Sequence, residues 1–212
     1  MLGVTFGNKH SYDDYGLILT EYEVSSPEPK RYLVEVPGRN GVLDLTASLT
    51  PRITYENRTI QFAFTWKSSP ENYEEELQTL LNDLHGQKMH VILDSDPDRY
   101  FDAFLTVSSS TFSGTQKATV VVTGDADPFK YNNTETVETL SGSGTLVCEN
   151  DRMEVIPEIT VTSETTIEFG TVTATLAAGT HRVANIEFTE GDNELEITGS
   201  GTTTIRYRQG RL

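Results

Sequence analysis

The chain has 212 residues and a formal net charge of −16 at neutral pH. Such acidity excludes a phosphate-backbone binder, whose affinity comes from clustered Lys and Arg that release counterions, and it disfavours an anionic membrane surface. The length suits one large or two small domains, the single cysteine, Cys148, excludes an internal disulfide, and no segment approaches the roughly eighteen continuous apolar residues of a membrane helix.

Asn8, Lys9 and His10 interrupt any secretory apolar core near the start, so synthesis in a cytoplasm is expected. From Phe6 to Thr46 the chain is crowded with paired acids, glycines, prolines and aromatics at spacings that serve no catalytic chemistry. Within it, Tyr32–Val36 and Val42–Leu45 alternate with the period of half-buried strands. Between them lies Pro37-Gly38-Arg39-Asn40-Gly41, whose two glycines and Asn supply the positive φ of a tight reversal. The pattern predicts a β-hairpin over Tyr32–Leu45. Leu33, Val34, Val36, Val42, Leu43 and Leu45 load its strands, and Arg39 and Asn40 sit at its turn. A two-stranded hairpin is marginal alone in water, so these eight residues are the candidate subunit interface.

Further strands are expected at Thr59–Thr65, His90–Leu93 and Ala118–Val122. One helix is expected from Pro70 to Leu84, with Ser69 as N-cap, Pro70 in the first helical position and Glu71 adding charge where N–H groups are unpaired. Tyr73, Leu77, Leu80, Leu81 and Leu84 fall on one face, and Gly86 is placed to end the helix. All six lysines precede Asn132, and the remainder is dense in Thr, Gly and Glu. This places a boundary at Asn132–Asn133, between domains 1–132 and 133–212. The second domain reads as a small β-sandwich or jelly roll, punctuated at Gly142–Gly144, Ala178-Gly179, Glu190–Asn193 and Gly199–Gly201. Its closing hairpin is expected to join Glu194–Thr198 to Thr203–Arg208 through the Gly199–Gly201 turn. The whole is mostly β: an N-terminal β domain with one helix and a projecting hairpin, then a smaller β-sandwich.

No constellation supports catalysis. Asp94, Asp96 and Asp98 start like a calcium loop, but Arg99 stands where Gly is needed and Leu105 where Glu is, and Pro97 points to a turn between strands. Asp13-Asp14 and Glu74-Glu75-Glu76 with Asp83 do not face one another as glycosidase carboxylates must; they read as solvated. His10, His85, His90 and His181 never pair at metal-ligand spacing, and His10 suits a hydrogen-bonding role in a loop. The Gly-Ser-Gly triplets are turns, not nucleophile elbows. Cys148, in the run Leu146-Val147-Cys148, reads as a buried structural thiol. No enzyme activity, cofactor or metal is expected.

Several segments in fixed order carry a resemblance. They are Phe6–Thr46; Tyr55-Glu56-Asn57-Arg58-Thr59-Ile60 leading into Phe62 and Phe64; Leu84–Met89; Leu93–Tyr100; and Gly124–Tyr131. Over about the first two thirds the chain resembles the distal tail protein family of long-tailed, non-contractile bacteriophages and related prophages. The resemblance implies a ring-forming N-terminal domain and a galectin-like or carbohydrate-binding-module-like second domain. It implies a structural, virion-tail function: a homohexameric baseplate hub joining the tail tube protein to the tail-tip or tail-associated lysin protein, with receptor-binding proteins or host cell-wall glycans as further partners. A carbohydrate-binding adhesion module carried by the second domain is the alternative. Phe169, Phe188 and Tyr207 are the few aromatics it could offer.

Overall fold

The computed structural model describes residues 2–50, 52–67, 73–109 and 119–212. The fold is mostly β, built from antiparallel sheets with two helices among the described residues. The chain divides into two compact units, Met1–Pro128 and Phe129–Leu212.

The first unit contains β1 (Val4–Phe6), β2 (Lys9–His10), β3 (Leu17–Val24), β4 (Leu33–Glu35), β5 (Val42–Asp44), α1 (Thr46–Leu49), β6 (Arg58–Trp66), α2 (Tyr73–Leu84), β7 (Lys88–Leu93), β8 (Asp96–Ser109) and β9 (Thr119–Ala126). Its main sheet runs β2-β1-β7-β8-β9-β6-β3. β6 alternates strictly enough to expose one face and bury the other, so that Ile60, Phe62, Phe64 and Trp66 all turn inward. Phe6 meets both Phe62 and Phe64 edge-on, at centroid distances of 5.9 and 6.1 Å.

Helix α2 covers that face. Leu80 and Leu84 are fully buried, and Tyr73, Leu77 and Leu81 pack half-buried against the same core. Burial of each such side chain contributes roughly 1.5–3 kcal/mol, which exceeds anything helix propensity supplies. Gly86 ends the helix at φ +75° and donates its N–H to the Leu105 carbonyl (2.8 Å). Glu74, Glu75 and Glu76 are exposed on the outer face. Ser69, Pro70 and Glu71, expected to start the helix, lie outside the described residues, as does Ala118 of the expected strand. Lys9 ties the helix to the sheet edge with a 2.6 Å bond to Asp83, which also accepts from the Tyr15 hydroxyl (3.2 Å).

The expected turn at Pro97 falls elsewhere. Asp94 and Ser95 make the reversal, and Pro97 lies inside β8, where the register with β7 slips between Leu93↔Asp96 and Val91↔Phe101. A proline is tolerated there because no ladder N–H is required of it.

The second unit contains β10 (Lys130–Asn132), β11 (Thr136–Ser141), β12 (Gly144–Asn150), β13 (Glu158–Val161), β14 (Thr165–Phe169), β15 (Val172–Leu176), β16 (Gly179–His181), β17 (Gly191–Gly199), β18 (Thr202–Tyr207) and β19 (Gly210–Arg211). Two four-stranded sheets, β11-β18-β13-β16 and β12-β17-β14-β15, form a sandwich. Ile159, Val161, Ile205 and Tyr207 of one share a core with Cys148, Ile167, Leu195 and Ile197 of the other. Burial pushes the Cys148 thiol up to about 12, which keeps it protonated and inert.

The expected closing hairpin is not one. β17 pairs with β12 and β14, whereas β18 pairs with β11 and β13, so the chain crosses from one sheet to the other at Ser200-Gly201. The inward residues explain it: Leu195 and Ile197 face Ile205 and Tyr207 across the core, which strands paired side by side cannot do. The glycines there provide clearance, not a left-handed turn. A Cβ on Gly201 would stand 2.4 Å from Ser163 Oγ, and one on Gly199 would stand 2.7 Å from Thr165 Oγ1.

The division after Pro128 also precedes the compositional change at Asn132–Asn133. The Asn132 N–H donates to the Gln209 carbonyl (3.0 Å), and Arg208 donates to the carbonyls of Asn132 (2.5 Å) and Asn133 (2.7 Å). Polar as it is, this segment is held by the second unit, not left as a linker.

Leu80→Asp should cost the first unit at least about 4 kcal/mol, because it removes a filled core volume and buries an unpaired charge. Thermal denaturation should show a loss of more than about 10 °C; an unchanged midpoint would contradict the packing of α2. A fragment spanning Phe129–Leu212 should resist urea better than one spanning Asn133–Leu212, by about 1–3 kcal/mol, since the shorter lacks the β10–β19 pairing and the Asn132 acceptor of Arg208. Equal midpoints would return the boundary to Asn133.

Candidate assembly surface

Strands β3 and β6 run on past the edge of the core. Ser25 donates its N–H to the Thr59 carbonyl (2.9 Å) and accepts at Oγ from the Thr59 N–H (2.8 Å). Farther out, the Glu56 N–H donates to the Glu28 carbonyl (2.8 Å) and the Lys30 N–H to the Thr54 carbonyl (2.8 Å). Then the Leu45 N–H donates to the Tyr32 carbonyl (2.8 Å), and β4 pairs with β5 as Leu33↔Asp44, Val34↔Leu43 and Glu35↔Val42. Ser25 to Asn57 is therefore a two-stranded arm that prolongs the β3–β6 ladder and ends in the hairpin.

This arm has no core behind it. Among its described residues none is buried, and every residue from Arg31 to Val42 is exposed. Among the described residues, Tyr32, Leu33, Val34, Val36, Val42, Leu49 and Ile53 make up seven of the fourteen exposed large hydrophobics, so half of the described exposed apolar side chains of this size belong to one segment. Strand alternation puts Val34 and Leu43 on one face, and puts Leu33, Glu35, Val42 and Asp44 on the other. The cross-strand pair on the first face is thus apolar on both strands.

Local chemistry gives the hairpin its shape despite that exposure. Gly38 and Gly41 take φ of +82° and +74°, a region that other residues enter with strain, and the Arg39 N–H closes the turn on the Val36 carbonyl (3.1 Å). At the base, Asp44 accepts from Arg31 (2.7 Å) and from the Thr46 N–H (3.0 Å), while Thr46 Oγ1 accepts from the Tyr32 N–H (2.9 Å). The bonds from Thr46, and after them the Arg31 guanidinium, hold the Asp44 carboxyl well below the usual carboxylate range. Leu45, expected in the strand, instead leads into the single turn α1, which sequence reading missed.

The structure brings all eight expected interface residues into this arm. Leu33, Val34, Val36, Arg39, Asn40 and Val42 are exposed, and Leu43 and Leu45 are partly covered. Leu49 and Ile53, 61% and 59% exposed, extend the apolar surface and were not foreseen. Charge was the signal that could have found them. Between Ser25 and Asn57, Lys30, Arg31, Arg39 and Arg52 balance Glu28, Glu35, Asp44 and Glu56, so the arm is formally neutral and the rest of the chain carries the whole −16.

The other polar candidates are engaged locally. Asp94 Oδ2 accepts from the Gly3 N–H (2.7 Å) and lies 3.3 Å from His10 Nε2, and Asp96 accepts from Arg99 (3.1 Å). His85 Nδ1 accepts from the Val107 N–H (3.1 Å), His90 stacks on Tyr100 at 3.9 Å, and His181 Nε2 lies 2.7 Å from the Ala177 carbonyl. Among the described residues, no group of three or more His, Cys, Asp or Glu is arranged to hold a metal.

No family model matches the chain, and no curated protein matches it. Among solved structures, the chain shares its fold with the SPP1 Dit (gp 19.1) protein, with a TM-score of 0.72 and 12% identity over 100% of both chains. That protein is described as a paradigm of the hub adsorption apparatus in phages infecting Gram-positive bacteria.

Asp44 gives the arm a pH signature. Its folded pKa is depressed, so its stabilising effect is present above the ordinary aspartate value of about 3.9 and is lost as pH falls through the lower, folded value. NMR titration should place the Asp44 midpoint, and the accompanying shift of the Thr46 amide, below about 3.9. Asp44→Asn should abolish that acid transition. A midpoint at or above the ordinary value would mean the Arg31–Asp44–Thr46 clasp is not formed.

Proposed function

We propose that the chain is a structural subunit of a phage tail, a distal hub that assembles into a ring, with the tail tube protein on one side and the tail-tip or tail-associated lysin protein on the other. The observation that carries this reading is the arm: a hydrogen-bonded ribbon rich in exposed apolar side chains, with no core of its own and no net charge, on an otherwise strongly acidic protein. Such an element gains stability when another subunit covers it. A ring of identical subunits needs this kind of heterologous contact, in which one surface gives and a different surface receives. The full-length likeness to a hub protein supports the same reading. A homohexamer in the virion tail, assembled in the host before incorporation, is its concrete form.

A sugar-binding role for the second unit draws no support from the aromatics expected to serve it. Phe188 and Tyr207 are buried and meet edge-on at 5.1 Å, and Phe169 packs against the same core.

Deletion of Arg31–Asp44 with a short Gly-Ser closure should leave a folded chain and abolish the ring, because the deleted residues contribute nothing to the core. Light scattering after size-exclusion chromatography, with negative-stain images of the intact chain, reads both outcomes. An unchanged oligomer in the deletion variant would remove the arm from assembly; an intact chain that stays monomeric at every concentration would overturn the hub reading.

A further inference from the structure

The main sheet of the first unit ends in β3, with no strand beyond it among the described residues. A free edge is a template for another chain, and proteins guard it with bulges and charges. β3 has both. Its register with β6 slips between Leu19 and Glu21, and Thr20, Glu21, Tyr22 and Glu23 are all exposed.

The acids also frame a recess. Glu21 lies opposite Ala63 and Glu23 opposite Gln61, and because Ala63 is small the four residues with Tyr22 line a notch of about 110 Å³. Neither glutamate has an ion-pair partner among the described residues. Tyr22, paired with the inward Phe62, points to the opposite face of the strand and is 44% exposed there. The edge is thus closed to an acidic strand and open to one that brings a cation.

The arm has that composition. Lys30 and Arg31 are paired with Glu56 and Asp44, but Arg39 at the tip is exposed and without a side-chain partner among the described residues. A neutral arm is also the segment of a second copy that meets an acidic edge without net repulsion.

We propose that the free edge of β3 is the acceptor for the arm of a second copy of this chain. Arg39 enters the notch between Glu21 and Glu23. This rests on the ring reading above and names the surface that receives the arm. Within one chain the two do not meet, since Glu23 lies at the base of the ribbon and Val36 near its tip, up to about 40 Å away at the rise of an extended strand. Donor and acceptor are therefore different surfaces on each copy, and the contact propagates around a ring.

Charge exchange tests the pairing. Arg39→Glu alone, and Glu21→Arg with Glu23→Arg, should each weaken the oligomer by about tenfold or more in a light-scattering dilution series. The triple variant should recover to within about threefold of the intact chain. All three positions are exposed, so circular dichroism should show unchanged folding. As a second readout, a copy with Arg39→Cys and a differently tagged copy with Glu23→Cys should form a disulfide between them on oxidation. If the triple variant stays dissociated and the cysteines do not link, while the intact chain still oligomerises and loss of the hairpin still abolishes assembly, the acceptor is wrong and the ring reading stands. A monomeric intact chain would sink both.

Discussion

Strand β6 is the element on which the first unit depends. Its nine residues turn Ile60, Phe62, Phe64 and Trp66 inward, and its two edges are taken by β9 and β3. A β-ladder propagates by backbone hydrogen bonds and does not stop where the core stops. The β3–β6 pair consequently carries its order outward into a ribbon that has nothing to pack on. Backbone bonds and the clasp around Asp44 keep the ribbon in shape, while its apolar side chains contribute little until something covers them.

The size of that contribution sets what the arm can do. Fully burying Val34, Val36, Leu43 and Leu45 would be worth about 6–12 kcal/mol, and roughly half of that once their present partial burial is allowed for. Association itself costs on the order of 4–15 kcal/mol. A single arm contact between two copies would be marginal on these terms. A closed ring, in which every copy gives one arm and receives one, changes the balance, because the last contact forms without a further loss of translational freedom.

What could be read from the sequence follows from how local each signal is. The helix face of Tyr73, Leu77, Leu80, Leu81 and Leu84 repeats within four residues, and Gly38 and Gly41 mark their turn unaided, so α2 and the hairpin were legible. The clasp linking Gly3 and His10 to Asp94 spans more than eighty positions and leaves no periodic trace. Composition misplaced the domain boundary because Asn132 and Asn133 look solvent-loving, while their carbonyls are claimed by Arg208 from the far end of the unit. Of the assembly surface, the hairpin was visible and the ribbon beneath it was not, since that depends on β3 and β6 keeping register across an intervening stretch of irregular chain. The closing pair of the sandwich failed for a related reason. Two alternating strands around Gly-Ser-Gly look like a hairpin whether they pair with each other or with distant strands, and only the distant partners decide.

That crossing has a kinetic consequence. β17 is an inner strand of one sheet, between β12 and β14, and β18 is an inner strand of the other, between β11 and β13. As the chain emerges from a ribosome, β13 can pair with β16 and β14 with β15, but β11 and β12 have no strand partner in either layer until residues 191–207 appear. Both sheets are then completed by the same short stretch, joined through one corner. The sandwich should close late and in a single concerted step, with slow, loop-limited kinetics typical of distant pairings, and its earlier strands must stay soluble while they wait. Their density of Thr and Glu, which serves the finished surface, would also protect them during that interval.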